Sequence, residues 1–113
     1  MKLWTAQYRY NGRERVDITA RTGSIFAPAW NMVMGLKSGL LSEDTYKQLY
    51  TSRMERSIRD HRKEWVEFLR REEVTIVCFC KAGAFCHRYL VIPFLSRVAW
   101  EEGIPFEYMG ERR

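Results

Sequence analysis

The segment Cys78-Phe79-Cys80-Lys81-Ala82-Gly83-Ala84-Phe85-Cys86-His87-Arg88 holds all three cysteines of the chain, one of its histidines and two cations. A glycine-containing turn from a strand into a helix offers backbone amides to an anion. Gly83 lets the chain approach a ligand closely, and the helix start adds a partial positive charge. With the full charges of Lys81, His87 and Arg88, the segment reads as a receptor for phosphate or carboxylate. The Gly-x-x-x-x-Gly-Lys-Ser/Thr pattern of a Walker loop is absent.

The thiols admit three readings. Free cysteine packs as a small buried hydrophobe, which suits Cys78 inside an apolar run. Cys78, Cys80, Cys86 and His87 are also four ligand types that zinc accepts, and Cys78 and Cys80 share one face of a strand. The spacing Cys-x-Cys-x5-Cys-His is not the paired Cys-x-x-Cys of common zinc knuckles, and adjacent Cys86 and His87 would have to bend round one ion, so no metal and no cofactor is expected. In the third reading Cys86 is a reactive thiol, because a helix start, His87 and Arg88 all favour the thiolate. The Cys-x5-Arg loop of tyrosine phosphatases is not formed, since Cys86 stands where its arginine would follow Cys80. Asp17, at the end of a predicted strand, is a candidate general base beside His87 as acid or base. Pairing with Arg21 or Arg88 is the plainer role for Asp17.

These residues need elements to position them. Leu3 to Tyr10 and Arg15 to Thr19 read as strands, and Asn11-Gly12 between them is a tight-turn signal, so the two are expected as a hairpin or as sheet neighbours. Pro28 suits the first turn of a short helix near Ala29 to Leu36. Ser42 reads as a helix cap ahead of Glu43 and Asp44. From there Tyr46, Tyr50, Met54, Ile58, Trp65 and Leu69 recur at three-four spacing, as one long helix or two joined near Ser57. His61 falls on the apolar side of that pattern and is expected as a core or interface histidine. Val74 to Cys80 is a nearly continuous β-branched run, the mark of a strand buried on both faces in a parallel sheet. A helix follows Gly83 to about Glu102, kinked or restarted at Pro93 and stopped by Gly103. Ile104 to Met109 is the last predicted strand.

The alternation gives the expected fold: a single α/β domain over residues 1–113, a layered, Rossmann-like sandwich with a small mixed or parallel central sheet of about four strands flanked by helices. Ligands in such sheets bind beyond the carboxyl ends of strands, here Asp17 to Arg21 and Cys78 to Lys81.

The chain has 113 residues, 46% of them hydrophobic, which fits one folded core and excludes disorder. No apolar run reaches the roughly 18 residues of a membrane helix, and Met1-Lys2-Leu3-Trp4 is no signal-peptide core. Three clustered cysteines suit a reducing compartment, so a cytoplasmic protein is expected. A net charge of +5 favours anionic partners. Glu55/Arg59, Lys63/Glu67 and Glu67/Arg71 stand at i,i+4 spacing, the pattern of a solvated helix face.

The run Cys78 to Leu90 resembles the signature of a large uncharacterised family of bacterial and phage proteins, in which an apolar strand ends in cysteine and a short loop leads to Cys-His-Arg and a leucine-bearing helix. Trp4-Thr5, Asp17-Ile18-Thr19-Ala20-Arg21, Phe26-Ala27-Pro28-Ala29-Trp30 and the helix with Tyr46 and Tyr50 are similar to phage-type members, so the resemblance spans most of the chain. It implies a compact α/β sandwich and brings no settled activity. Many members carry an acidic residue after the first cysteine, where this chain has Phe79-Cys80. Arg88 is the position the resemblance carries over most directly.

The expected function is binding of a phosphorylated small molecule, a nucleotide or nucleotide-derived signal, by Arg21, Lys81, Gly83, Cys86, His87 and Arg88, with Tyr8, Phe26 or Trp30 available to stack on a base. With the phage-type resemblance, this extends to sequestering a host nucleotide. The alternative is an enzyme acting on a similar ligand through Cys86, His87 and Asp17. A nucleic-acid protein using Tyr8-Arg9-Tyr10 ranks below both. A homo-oligomer is compatible with the aromatic content.

Overall fold

The computed structural model describes residues 1–80 and 83–112. Strands β1 (Lys2–Gln7), β2 (Arg15–Asp17), β3 (Glu73–Cys78) and β4 (Glu107–Arg112) form one parallel sheet in the order β2-β3-β1-β4. A 3-10 turn (Ala20–Thr22) and helices α1 (Trp30–Lys37), α2 (Glu43–Asp60) and α3 (Arg62–Leu69) connect β2 to β3. A single-turn α4 (His87–Leu90) and α5 (Ile92–Glu102) connect β3 to β4. The expected layered α/β sheet is present, in its all-parallel form.

The hairpin is not. β3 lies between β1 and β2, so the two strands around Asn11-Gly12 neither pair nor adjoin. The turn signal failed because Gly12 serves a different need. It has no positive φ, and a Cβ there would collide with the Tyr10 hydroxyl, which donates to Glu14 at 2.6 Å. Crossover handedness explains the route. The steps from β2 to β3 and from β3 to β4 run in one direction across the sheet, so right-handed connections put their helices on one face. The step from β1 to β2 runs the other way and passes over the opposite face. There Arg112 lies 3.9 Å from the Trp4 ring, and Glu14 accepts from the Thr75 hydroxyl. On the helical face Leu3, Val74 and Ile76 join Tyr50, Trp65 and Leu95 in the core.

Local chemistry sets the helix ends. Ser42 Oγ accepts from the Thr45 amide at 3.1 Å, as its capping position predicts. Gly103 closes α5 in the left-handed region, φ 68°. The Ile104 amide then bonds the Ala99 carbonyl at 2.8 Å and the terminal amine of Met1 bonds the Pro105 carbonyl at 2.6 Å, so β4 starts later than Ile104. Pro93 sits in the first turn of α5, where its missing N–H costs nothing, and the chain restarts at Val91. The break between α2 and α3 falls at His61, beyond the expected Ser57. His61 is exposed there, 3.1 Å from Glu64, and is not a core residue. None of the three i,i+4 charge pairs closes among the described residues. The charges bridge helices instead: Arg62 reaches Glu101 and Glu102 at 3.0 and 2.8 Å, and Arg97 pairs with Glu55. Among the described residues no helix is long and apolar enough to cross a membrane.

Candidate functional site

The carboxyl ends of β2 and β3 open into a cleft of about 440 Å³, within the range of roughly 300–1,000 Å³ typical of small-molecule sites. Cys78 ends β3, Phe79 and Cys80 follow it, and Cys86 and His87 return at the start of α4, forming the floor. Thr19, Ala20 and Arg21 give one wall after β2, and Trp30, Val33 and Lys37 of α1 give another. A larger depression of about 810 Å³ lies at the other end of the sheet, near Met1, Glu72 and Pro105. It is shallow and holds none of the thiols, which line the smaller cleft.

The floor is a cluster of sulfurs. Cys86 Sγ lies 3.0 Å from Cys78 Sγ, which lies 3.9 Å from Cys80 Sγ, and all three fall within 4.8 Å of one another. His87 Nδ1 is 3.8 Å from both Cys78 and Cys86, while its Nε2 is 2.7 Å from the buried Ile18 carbonyl. That carbonyl only accepts, so it fixes a proton on Nε2 and turns Nδ1 toward the sulfurs. Within the trio the protons are unequally held. Donation from Cys78 and then Cys86 lowers the Cys80 thiol, aided by Arg88 and Lys37 against the effect of burial. Cys80 holds the Cys78 thiol up, but Cys86 and His87 together bring it below the ordinary value. The contacts with Cys78 and Cys80, and then burial, push Cys86 well up. Cys86, the candidate nucleophile of the alternative reading, is thus the thiol pushed up, and Cys80 is the half-exposed thiol brought down.

Arg88 lies inside the loop. Its side chain has no exposed surface; it donates to the Cys80 carbonyl at 2.8 Å and to Glu111 at 2.9 Å. The Tyr89 hydroxyl takes the Gly83 amide at 2.9 Å and donates to Glu111 at 3.0 Å. Gly83, at φ 77°, is therefore held from within. Arg21 is exposed on the rim; it bonds the Tyr8 hydroxyl and lies 5.3 Å from the Phe79 ring, which stacks on Tyr8 at 4.1 Å. Asp17 does not line the cleft; its carboxylate accepts from the Thr19 amide at 2.9 Å and closes the turn after β2. Of the stacking candidates, Trp30 borders the cleft and is exposed, whereas Phe26 is packed between Trp65 and Phe68. Lys81 lies outside the described residues.

Sequence reasoning missed Thr19 and Glu111. The Thr19 hydroxyl is buried and, among the described residues, is the one buried side-chain polar atom without a hydrogen-bond partner. Thr19 lines the cleft, so its unpaired hydroxyl is a candidate partner for a ligand or water there. Glu111 carried no signal because its partner lies on another element, far back in the chain.

Burial raises the Glu111 carboxyl, but the Thr5 and Tyr89 hydroxyls and Arg88 more than offset it and leave it below the ordinary 4.5. A carboxylate whose folded pKa is depressed contributes stability that is complete above the unfolded value and is lost as pH falls through the folded one. Urea stability is expected to fall from about pH 5 downward, and Glu111→Gln to flatten that fall. Equal slopes for the two proteins would refute the assignment.

The family model DUF488-N3a, described as the active DUF488-N3 subclade, matches residues 1–98. No curated protein and no solved structure matches the chain.

Proposed function

The chain belongs to the DUF488-N3a family, and from that premise we propose that it binds a planar, anionic small molecule of nucleotide type in the cleft beyond β2 and β3. The observation that carries this reading is the buried, unpartnered hydroxyl of Thr19, a residue that lines the cleft two positions before Arg21. A phosphate oxygen bridging the two would satisfy the hydroxyl and take a charge-assisted bond from the arginine. Trp30 and Phe79 supply exposed aromatic faces at the same opening, suited to a base. The cation for this task is Arg21 rather than Arg88, whose charge is matched by Glu111 inside the loop.

Calorimetric titration with nucleoside mono-, di- and triphosphates tests the reading. Binding is expected at about micromolar Kd, with the parent nucleosides at least roughly tenfold weaker. A charge-assisted bond is worth about 1.5–3 kcal/mol, so Arg21→Ala is expected to weaken binding roughly tenfold or more. Thr19→Val, which keeps the shape and removes the hydroxyl, is expected to weaken it about fivefold. No binding above background by any nucleotide would defeat the proposal. Retained affinity in both variants would move the site elsewhere.

A further inference from the structure

We propose that Cys78, Cys80 and Cys86 Sγ and His87 Nδ1 form a four-ligand, tetrahedral site for a soft divalent cation of the zinc class. This goes beyond the ligand-binding reading and does not depend on it.

The sequence argued against this because adjacent Cys86 and His87 had to reach one point. The backbone resolves that objection. Cys86 is extended, at φ −160° and ψ 145°, and His87 is the first residue of α4. The chain turns sharply between them, and the sulfur and the ring nitrogen converge to 3.8 Å. Cys78, at the end of β3, and Cys80, two residues on, bring two more sulfurs to within 4.8 Å of Cys86 Sγ.

Three sulfurs within 4.8 Å of one another, with His87 Nδ1 beside two of them, are spaced for a single ion after a small side-chain adjustment. Zinc–sulfur and zinc–nitrogen bonds of about 2.3 and 2.05 Å give a tetrahedron with edges of about 3.8 Å between sulfurs and about 3.6 Å from sulfur to nitrogen. Cys78 to Cys80 is 3.9 Å, and Nδ1 lies 3.8 Å from both Cys78 and Cys86. Cys78 to Cys86, at 3.0 Å, has to open by about 0.8 Å on this geometry, and Cys80 Sγ, which lies within 4.8 Å of both other sulfurs but farther than that from His87 Nδ1, has to swing toward the ring.

The surroundings also suit a metal. A ligating histidine commonly donates its other N–H to a backbone carbonyl, which fixes the ring and makes the ligating nitrogen more basic; His87 Nε2 on the Ile18 carbonyl is that arrangement. Three thiolates, one neutral imidazole and a divalent ion sum to one negative charge. Arg88 Nη1 lies 3.7 Å from Cys86 Sγ and sets a positive charge against it. On binding, each thiol gives its proton to the buffer, three sulfur–metal bonds and one nitrogen–metal bond form, the ion's water leaves, and nothing is oxidised or reduced. With four protein ligands the ion has no open position, so it holds β3, the loop and α4 together.

The test uses the full chain purified under reducing conditions without chelator. Native mass spectrometry and elemental analysis are expected to give one zinc per chain, lost on denaturation. After stripping, titration with Co²⁺ is expected to give the strong visible bands of a tetrahedral site and thiolate charge-transfer absorption, saturating at one equivalent. Zn²⁺ is expected to displace it at nanomolar affinity or tighter. Cys80→Ser and His87→Ala are expected to weaken binding at least about a hundredfold each, as loss of a ligand does. The wild-type cobalt spectrum reads the site even where a variant fails to fold. Weak octahedral cobalt bands, less than half an equivalent of zinc, or a Cys78–Cys86 disulfide in the reduced preparation would overturn the proposal. Nucleotide affinity is read separately through Arg21 and Thr19, so either proposal can fail alone.

Discussion

Replacing Arg88 by alanine is expected to cost about 3–5 kcal/mol of folding stability, the range for removing one member of a buried ion pair. Domains of this size are stable by about 5–15 kcal/mol in total, so the variant should sit near its unfolding threshold. The guanidinium joins three pieces of the structure: the Cys80 carbonyl just beyond β3, Glu111 on β4, and α4, on which it resides. Deleting it leaves Glu111, itself about 10% exposed, without its counter-charge, and the cost is mostly that carboxylate's lost compensation. Urea unfolding of Arg88→Ala, Glu111→Gln and the double variant forms a cycle. The double variant should be more stable than the sum of the single losses predicts, because neither charge is then stranded. A loss under about 1 kcal/mol for Arg88→Ala, together with abolished nucleotide binding, would return the residue to the ligand-binding role suggested by the sequence.

Trp65→Ala is expected to cost a similar amount, about 3–5 kcal/mol, for a large aromatic removed from a closed core. Trp65 is fully buried, meets Phe26 edge-on at 4.8 Å, and donates its Nε1–H to Ser57 Oγ at 3.0 Å. Ser57 in turn donates to the Ile25 carbonyl at 2.7 Å, and Tyr50 donates to the Phe26 carbonyl at 2.7 Å. These bonds hold the segment that leads into α1, the helix carrying Trp30, Val33 and Lys37 into the cleft. Trp65→Phe keeps most of the packing and loses the hydrogen bond, so about 1 kcal/mol is expected. Thermal melts with hydrogen exchange at the α1 amides would check both effects. Trp65→Phe should raise exchange in α1 more than in α5, and uniform change would show that the tryptophan only fills space.

The apolar run Val74 to Cys78 was legible as a buried parallel strand because both faces of β3 are covered, by helices on one side and by the return of the chain from β1 on the other. Asn11-Gly12 misled because two causes favour glycine: a positive φ, and room for a neighbouring atom. Only the first marks a hairpin. The thiols and His87 stood out by type, and the loop was found. What could not be read was direction. Arg88 looks like a surface cation until Glu111 is placed beside it, and the sequence carries no trace of a pairing between a helix and a distant strand. Thr19 was invisible for a related reason, since an unmet hydrogen bond exists only once the surroundings are folded. The helix break at His61 left the apolar period intact from Ile58 to Trp65, so periodicity passed straight through it.

The strand order has one more consequence, for the time at which the protein can first exist. β1 sits inside the sheet, between β3 and β4, and its Lys2 is in register with Glu73 and with Glu107. β1 is therefore synthesised before either of its partners, with nothing to pair it until β3 has been made and with its other edge open until β4 appears. Loop closure on this scale makes such sheets slow to form and leaves strand edges open in the meantime. β4 must be made before the Arg88 clamp can close on Glu111, so a chain stalled ahead of β4 would present an open edge on β1 rather than a completed site.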